Sequence, residues 1–209
     1  MLRVALTTPF PYPSPLSPAQ RGPNSHARIR THTHTHTHTH TSGAGPNSNL
    51  KLASGFCPVA RLLKGGVNVA LGTDGAGSNN SLDVFQEMKL AATLAKGVSG
   101  DATAVPAWQA LRMATLNGAR ALGLGAVTGS LEVGKAVDMV AVELDGLNSL
   151  PLYDVLSHLV YATGRGAVSD VWVDGVQLLA NRALTTIDEE ACKVDMHAWE
   201  IKVRAVVPK

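Results

Sequence analysis

Cysteine is scarce in this sequence: Cys57 and Cys192 are the only two in 209 residues, far apart and outside any C-x-x-C pattern. That excludes a disulfide scaffold and a cysteine-rich zinc site, and fits two reduced thiols in a cytoplasmic protein. Aromatic residues make up 4% of the chain and charged residues 16%. No Lys/Arg stripe interleaved with aromatics occurs, so nucleic acid is not an expected partner. No apolar run approaches the ~18 residues of a membrane span, and Pro9, Pro11 and Pro13 follow too soon for a secretory apolar core. Acidic residues are missing from positions 1–47, which hold Arg3, Arg21, Arg28 and Arg30; the remainder has 14 basic and 16 acidic residues. Such an acid-free front has the composition of an organelle transit peptide, but alternate prolines oppose the amphipathic helix one needs. The length also falls short of the about 250 residues typical of a complete (β/α)8 barrel.

Residues 9–25 carry six prolines among serines, a composition that cannot repay the entropy of ordering. Residues 31–41 alternate Thr and His, with His32, His34, His36, His38 and His40. In an extended chain these imidazoles share one face and are competent metal ligands. A CA dinucleotide repeat read in this frame also yields His-Thr without selection for chemistry, and an unscaffolded tract offers many loose sites instead of one shaped site. Residues 1–45 are therefore expected to be a disordered Pro-rich and His-Thr low-complexity segment.

The texture changes at Pro46. Residues 58–65 have the form of a short helix with Pro58 in its first turn and Gly65-Gly66 at its end. Residues 67–71 (VNVAL) form an apolar run suited to a buried parallel strand. Val84, Phe85, Met88, Ala91, Ala92 and Ala95 fall on one face of a helix, with Gly97 and Gly100 expected beyond its end. Another helix opens at Pro106, with Trp108, Leu111, Thr115, Ala119 and Leu122 expected in the core. A strand over 139–144, a helix over 152–163, a strand over 168–173, a hairpin at Asp174-Gly175 and a final helix over 188–206 complete the order. That order reads as the last stretch of an α/β domain followed by a small β unit.

Asp74 stands out on physical grounds. It follows a buried strand between Gly72 and Gly75, so the chain turns sharply and presents a carboxylate at the strand's C-terminal end, where parallel α/β folds build their sites. A carboxylate there can bind a divalent metal or take a proton from a metal-bound water; it can equally cap its own turn. Asp83 and Glu87, four apart, are expected on a solvated helix face, and His158 and His197 in structural roles.

Residues 48–55 (SNLKLASG), 72–88 (GTDGAGSNNSLDVFQEM), 113–124 (MATLNGARALGL), 128–138 (TGSLEVGKAVD) and 158–175 (HLVYATGRGAVSDVWVDG) together resemble the C-terminal part of the metal-dependent amidohydrolase superfamily. The nearest branch is the 5-methylthioadenosine/S-adenosylhomocysteine deaminases and related chlorohydrolases. The resemblance runs from about residue 46 to 186. It implies an α/β fold: the last βα units of a (β/α)8 barrel over 46–128, a β-sandwich-associated segment over 129–186 and a C-terminal helix over 187–209. It also implies a Zn²⁺ or Fe²⁺ ion at the C-terminal face, whose activated water displaces ammonia from a purine nucleoside. In that scheme Asp74 resembles the aspartate that ends the eighth strand, both metal ligand and catalytic proton acceptor.

The departures matter as much. The family's His-x-His pair, its two later histidine ligands and its proton-shuttling glutamate belong before residue 46 and are not there; the His-Thr tract supplies His-x-His in letters only, beside the seventh-strand segment and not on a first strand. The pattern His-x-Pro-x-Ser-Asn would put histidine at position 44, where this chain has Ala44. One carboxylate cannot hold a catalytic metal that takes about three protein ligands. The chain is accordingly expected to be a truncated hydrolase of non-peptide carbon–nitrogen bonds, inactive alone, and either poorly folded or self-associating through exposed strand edges. Two alternatives stand beside it: a non-catalytic interaction or oligomerisation module, and a metal-binding protein that uses the His tract.

Overall fold

The computed structural model describes residues 3–6 and 40–207. The proline-rich stretch, the transit-peptide reading and the imidazoles of His32, His34, His36 and His38 lie outside the described residues. The apolar run after Gly66 becomes strand β3 (Asn68–Leu71), with Val69 fully buried. It pairs in parallel with strand β2 (Thr41–Ala44), Thr41 opposite Asn68 and Ala44 opposite Leu71. This corrects the expectation of disorder across all of 1–45. Four residues without proline can donate and accept a full ladder, and β3 offers them an edge. Strand β1 (Arg3–Leu6) is a second ordered piece of that segment.

The β2–β3 crossover carries helices α1 (Pro46–Lys51) and α2 (Val59–Lys64), the first opened by its own proline. Helix α3 (Val84–Ser99) then packs Met88, Ala91, Ala92 and Ala95 inward. It runs through Gly97 and stops at Gly100, whose φ of 67° is the left-handed geometry of a helix end. The small side chains on this face let α3 approach α4 (Ala107–Ala114), which buries Ala110, Met113 and Ala114.

The helix expected to run on from Pro106 instead breaks at Thr115, whose hydroxyl donates back to the Leu111 carbonyl at 2.8 Å. Helix α5 (Leu116–Ala121) follows in a new direction. It is fastened to β3 by polar bonds: Asn117 Nδ2 donates to the Val69 carbonyl at 2.9 Å, and Asn68 Nδ2 to the Asn117 carbonyl at 3.0 Å. Trp108 and Leu122, expected in the core, are about half exposed: α4 buries Ala110, Met113 and Ala114, on the side away from Trp108, and Leu122 lies beyond the break.

Beyond α5 the chain turns at Gly129, where φ is +90° and an added Cβ would stand 2.6 Å from Ala119 Cβ and 3.0 Å from Leu116 Cα. Both the backbone conformation and the space demand glycine. Gly129→Ala is therefore expected to destabilise the fold by about 3 kcal/mol, through overpacking and left-handed strain. Urea denaturation checks this, and an unchanged midpoint would refute it.

Strands β4 (Met139–Glu143), β5 (Val168–Val173), β6 (Val176–Ala180) and β7 (Ala183–Leu184) form an antiparallel sheet that β1 extends, in the order β1-β4-β5-β6-β7. Asp174 and Gly175, with φ of 49° and 78°, make the expected two-residue hairpin. Buried Asp138 fastens it to the preceding turn, accepting from the Thr128 hydroxyl at 2.6 Å and the Asp174 N–H at 2.8 Å. Helix α6 (Val155–Tyr161) lies between the two sheets: Val160 joins the core under α3 and α4, while Leu159 joins Val142 and Leu144 of the second core. Phe85 touches both. No closed barrel forms among the described residues.

The last helix, α7 (Glu189–Val206), is capped by the Asp188 carboxylate, which accepts from Glu190 N–H and Ala191 N–H at 3.0 Å. Every residue of α7 is exposed. No helix among the described residues is long and apolar enough to cross a membrane.

Candidate functional site

Strand β3 ends at Leu71, and Gly72-Thr73 carry the chain to Asp74, which adopts φ of +62°. Aspartate is among the few non-glycine residues that enter this region, because its short carboxylate bonds to the local backbone. Asp74 Oδ1 accepts from the Gly75 N–H at 2.8 Å. Its Oδ2 accepts from the hydroxyls of Ser78 at 2.8 Å and Ser48 at 2.9 Å. The Ser78, Gly75 and Ser48 donors hold the carboxyl below its usual range, so it is ionised at neutral pH. Asp74 is exposed, at the rim of a cleft of about 280 Å³ between the C-terminal ends of β2 and β3 and the start of α1. The carboxylate is thus both capped by its own turn and presented outward.

A second network supports the loop from below. Glu87 on α3 has 0% exposure, correcting the expectation of a solvated face. Its Oε1 accepts from Asn79 Nδ2 at 2.7 Å and its Oε2 from the Asn47 N–H at 3.1 Å. Asn79, also fully buried, accepts through Oδ1 from Asn47 Nδ2 at 2.7 Å and from the Ser81 hydroxyl at 3.0 Å. Burial pushes the Glu87 carboxyl up, while the two hydrogen bonds oppose the shift. Asp83 is not a partner in this cluster. It caps α3 by accepting from the N–H groups of Phe85 at 2.9 Å and Gln86 at 3.4 Å. The sequence reading missed Ser48, Ser78, Asn79 and the burial of Glu87. The last had a signal, since 84, 87, 91 and 95 share one helical face.

His158 and His197 do not approach Asp74's cleft: His158 sits on α6 with its Nε2 buried and without a hydrogen-bond partner among the described residues. His197 is exposed on α7, 3.5 Å from Glu200. Cys57, half-buried with its thiol pKa raised by burial, and exposed Cys192 are free thiols.

A parallel β–α–β unit with a carboxylate fixed just past a strand's C-terminal end places the chain among α/β proteins that build sites on that edge. The sequence profile of the Amidohydrolase family matches residues 22–178, and the chain belongs to that family. The match begins upstream of residue 46, earlier than the sequence resemblance set it. Over 158 residues the chain is 50% identical to a 5-methylthioadenosine/S-adenosylhomocysteine deaminase of Teredinibacter turnerae, covering 76% of this chain and 36% of that one. An adenosine deaminase from Xanthomonas campestris, solved with bound zinc, superposes with a TM-score of 0.78 at 51% identity, covering 79% of this chain and 38% of that one. Atrazine chlorohydrolase from Arthrobacter aurescens, also with zinc, superposes with a TM-score of 0.68 at 28% identity, over 75% and 35% of the two chains. The chain thus spans about a third of the length of these relatives.

The family is metal-dependent, but the donors among the described residues do not make up a catalytic metal site. Among the described residues no three His, Cys, Asp or Glu side chains converge. Ala44, where the family pattern has histidine, ends β2 opposite Leu71 with a methyl group that cannot ligate. Asp74 therefore stands without the companion ligands a catalytic metal needs among the described residues.

Proposed function

We propose that this chain is the C-terminal portion of a deaminase-type amidohydrolase that acts on adenosine-like nucleosides. In this reading residues 46–128 are its last βα units, residues 129–186 its sandwich-associated segment and residues 187–209 its terminal helix. The observation that carries the reading is the held carboxylate: Asp74 just past β3, in a left-handed turn, with three donors fixing an ionised group. Its contribution to the family's Zn²⁺ or Fe²⁺ centre is one ligand and an acceptor for a proton. The other ligands come from outside the described residues of this chain. The relatives' names support small nucleoside substrates, and the zinc in the Xanthomonas structure supports that metal.

The test joins two chains. Residues 46–209 are fused behind the Teredinibacter relative's own N-terminal portion, which supplies everything before the residue matched to Pro46. The fusion is expected to release ammonia from methylthioadenosine or S-adenosylhomocysteine, and the present chain alone to release none. A folded, zinc-loaded fusion without turnover would refute the reading, as would turnover by the pure chain.

A further inference from the structure

Helix α7 carries a pattern that the hydrolase reading does not use. Cys192, Met196, Trp199, Val203 and Val206 follow each other at intervals of four, three, four and three residues, the seam of a heptad repeat. None of them is covered: Met196 is 69% exposed, Trp199 64% and Val206 78%. An apolar seam left in water at this spacing is suited to cover by a second helix.

The charges flanking the seam say which helix. Lys193 and Glu200 lie along one side, Asp195 and Lys202 along the other. Parallel pairing of two copies sets Asp195 beside Glu200 of the other helix, like against like. Antiparallel pairing, with the two-fold axis between His197 and Ala198, sets Lys193 beside Glu200 and Asp195 beside Lys202, each twice. The same register stacks Met196 on Trp199 and Cys192 on Val203, so thioether meets indole at the centre. The opposite face repeats the spacing with Val194, Ala198, Ile201 and Ala205, but its side chains are smaller and one flank would set His197 against Arg204. The flanking charges have intrahelical partners: Lys193 with Glu190 at 2.6 Å, Glu200 with Arg204 at 2.7 Å, and Lys202 over the Trp199 ring at 4.8 Å. Exposed pairs of this kind are weak, so exchange for partners across the interface costs little.

We infer that α7 is an antiparallel self-association helix, and that its occupant is α7 of a second copy of this chain. Sedimentation velocity of the full chain is expected to show a reversible monomer–dimer equilibrium that Trp199→Glu abolishes. Lys193→Glu should weaken the dimer roughly ten-fold, and Lys193→Glu with Glu200→Lys should return it to within about three-fold of the original. Orientation is read by oxidation in a Cys57→Ala background. Val203→Cys is expected to form a covalent dimer through native Cys192 of the other copy, and to form none once Cys192 is also changed to Ala. Because every residue of α7 is exposed, the body should melt unchanged in each variant. A monomer at all concentrations would overturn the inference. So would a dimer indifferent to Trp199→Glu, as association through strand edges would give, or a crosslink by the Cys192→Ala, Val203→Cys chain, as parallel pairing would give.

Discussion

Asp74→Ala in the fusion enzyme will lower kcat/KM by about a thousand-fold or more, with zinc content falling in step. Among the described residues no cluster of His, Cys, Asp or Glu offers a substitute for the carboxylate. Asp74→Asn keeps the shape and a bond to one of the surrounding donors but removes the charge, so its activity should fall nearly as far. Because the Ser78, Gly75 and Ser48 donors depress the carboxyl, Asp74 stays ionised well into acid. An acid limb above about pH 5 in the fusion's rate profile would belong to another group. The linkage runs the same way: a depressed carboxyl contributes stability above its unfolded pKa and loses it as pH falls through the folded one. Asp74→Ala should also destabilise the fold, because alanine in the left-handed turn lacks the carboxylate that bonds Gly75, Ser78 and Ser48. Asparagine tolerates that turn and should change the unfolding midpoint less. A variant that keeps wild-type turnover and metal would remove Asp74 from the centre.

Glu87→Ala should destabilise the chain by about 3 kcal/mol, measured by denaturant titration. The substitution opens a cavity beneath the loop and leaves the Asn47 N–H and Asn79 Nδ2 without acceptors in a buried place. Glu87→Gln keeps the volume and one acceptor, and should cost about 1–2 kcal/mol. The pH dependence separates them further. Burial raises the Glu87 carboxyl, so its folded pKa exceeds the unfolded one. The stability linked to that shift is present below the unfolded value and lost as pH rises through the folded value. The gap between wild type and Glu87→Gln should therefore narrow from acid toward neutral pH. A pH-independent gap would mean that Glu87 does not change charge more readily in the fold than out of it. Glu87 also holds Asn79, next in the chain to Ser78, and Asn47, next to Ser48. Its loss should therefore loosen two of the donors around Asp74.

The segments legible in the sequence are those whose signal is local. The strand at 67–71, the α3 face and the 174–175 hairpin were each written in a few adjacent residues: β-branched runs, a 3.6-residue period, Asp-Gly. Asp74 was legible for the same reason, as a carboxylate between glycines after an apolar run. The break at Thr115 was not, because an unbroken helix satisfies the same local pattern. What decides it is Asn117 reaching the carbonyl of Val69, 48 positions away. Strand β2 was not legible either, since Thr-Ser-Gly-Ala becomes a strand only where β3 offers it an edge.

By itself the sequence determined the family, the elements built from local periodicity, and the residue that carries the candidate chemistry. It also determined the heptad seam of α7, because spacing and charge order are properties of the chain alone. Only the tertiary structure decided which distant polar groups meet: Ser48 on exposed Asp74, Asn47 and Asn79 on buried Glu87, Asn117 on β3. It decided too that Trp108 faces water and Glu87 does not. The physical reason is that a buried polar group is tolerated only with its partners in place. Those partners come from segments distant in sequence, which no local pattern brings together.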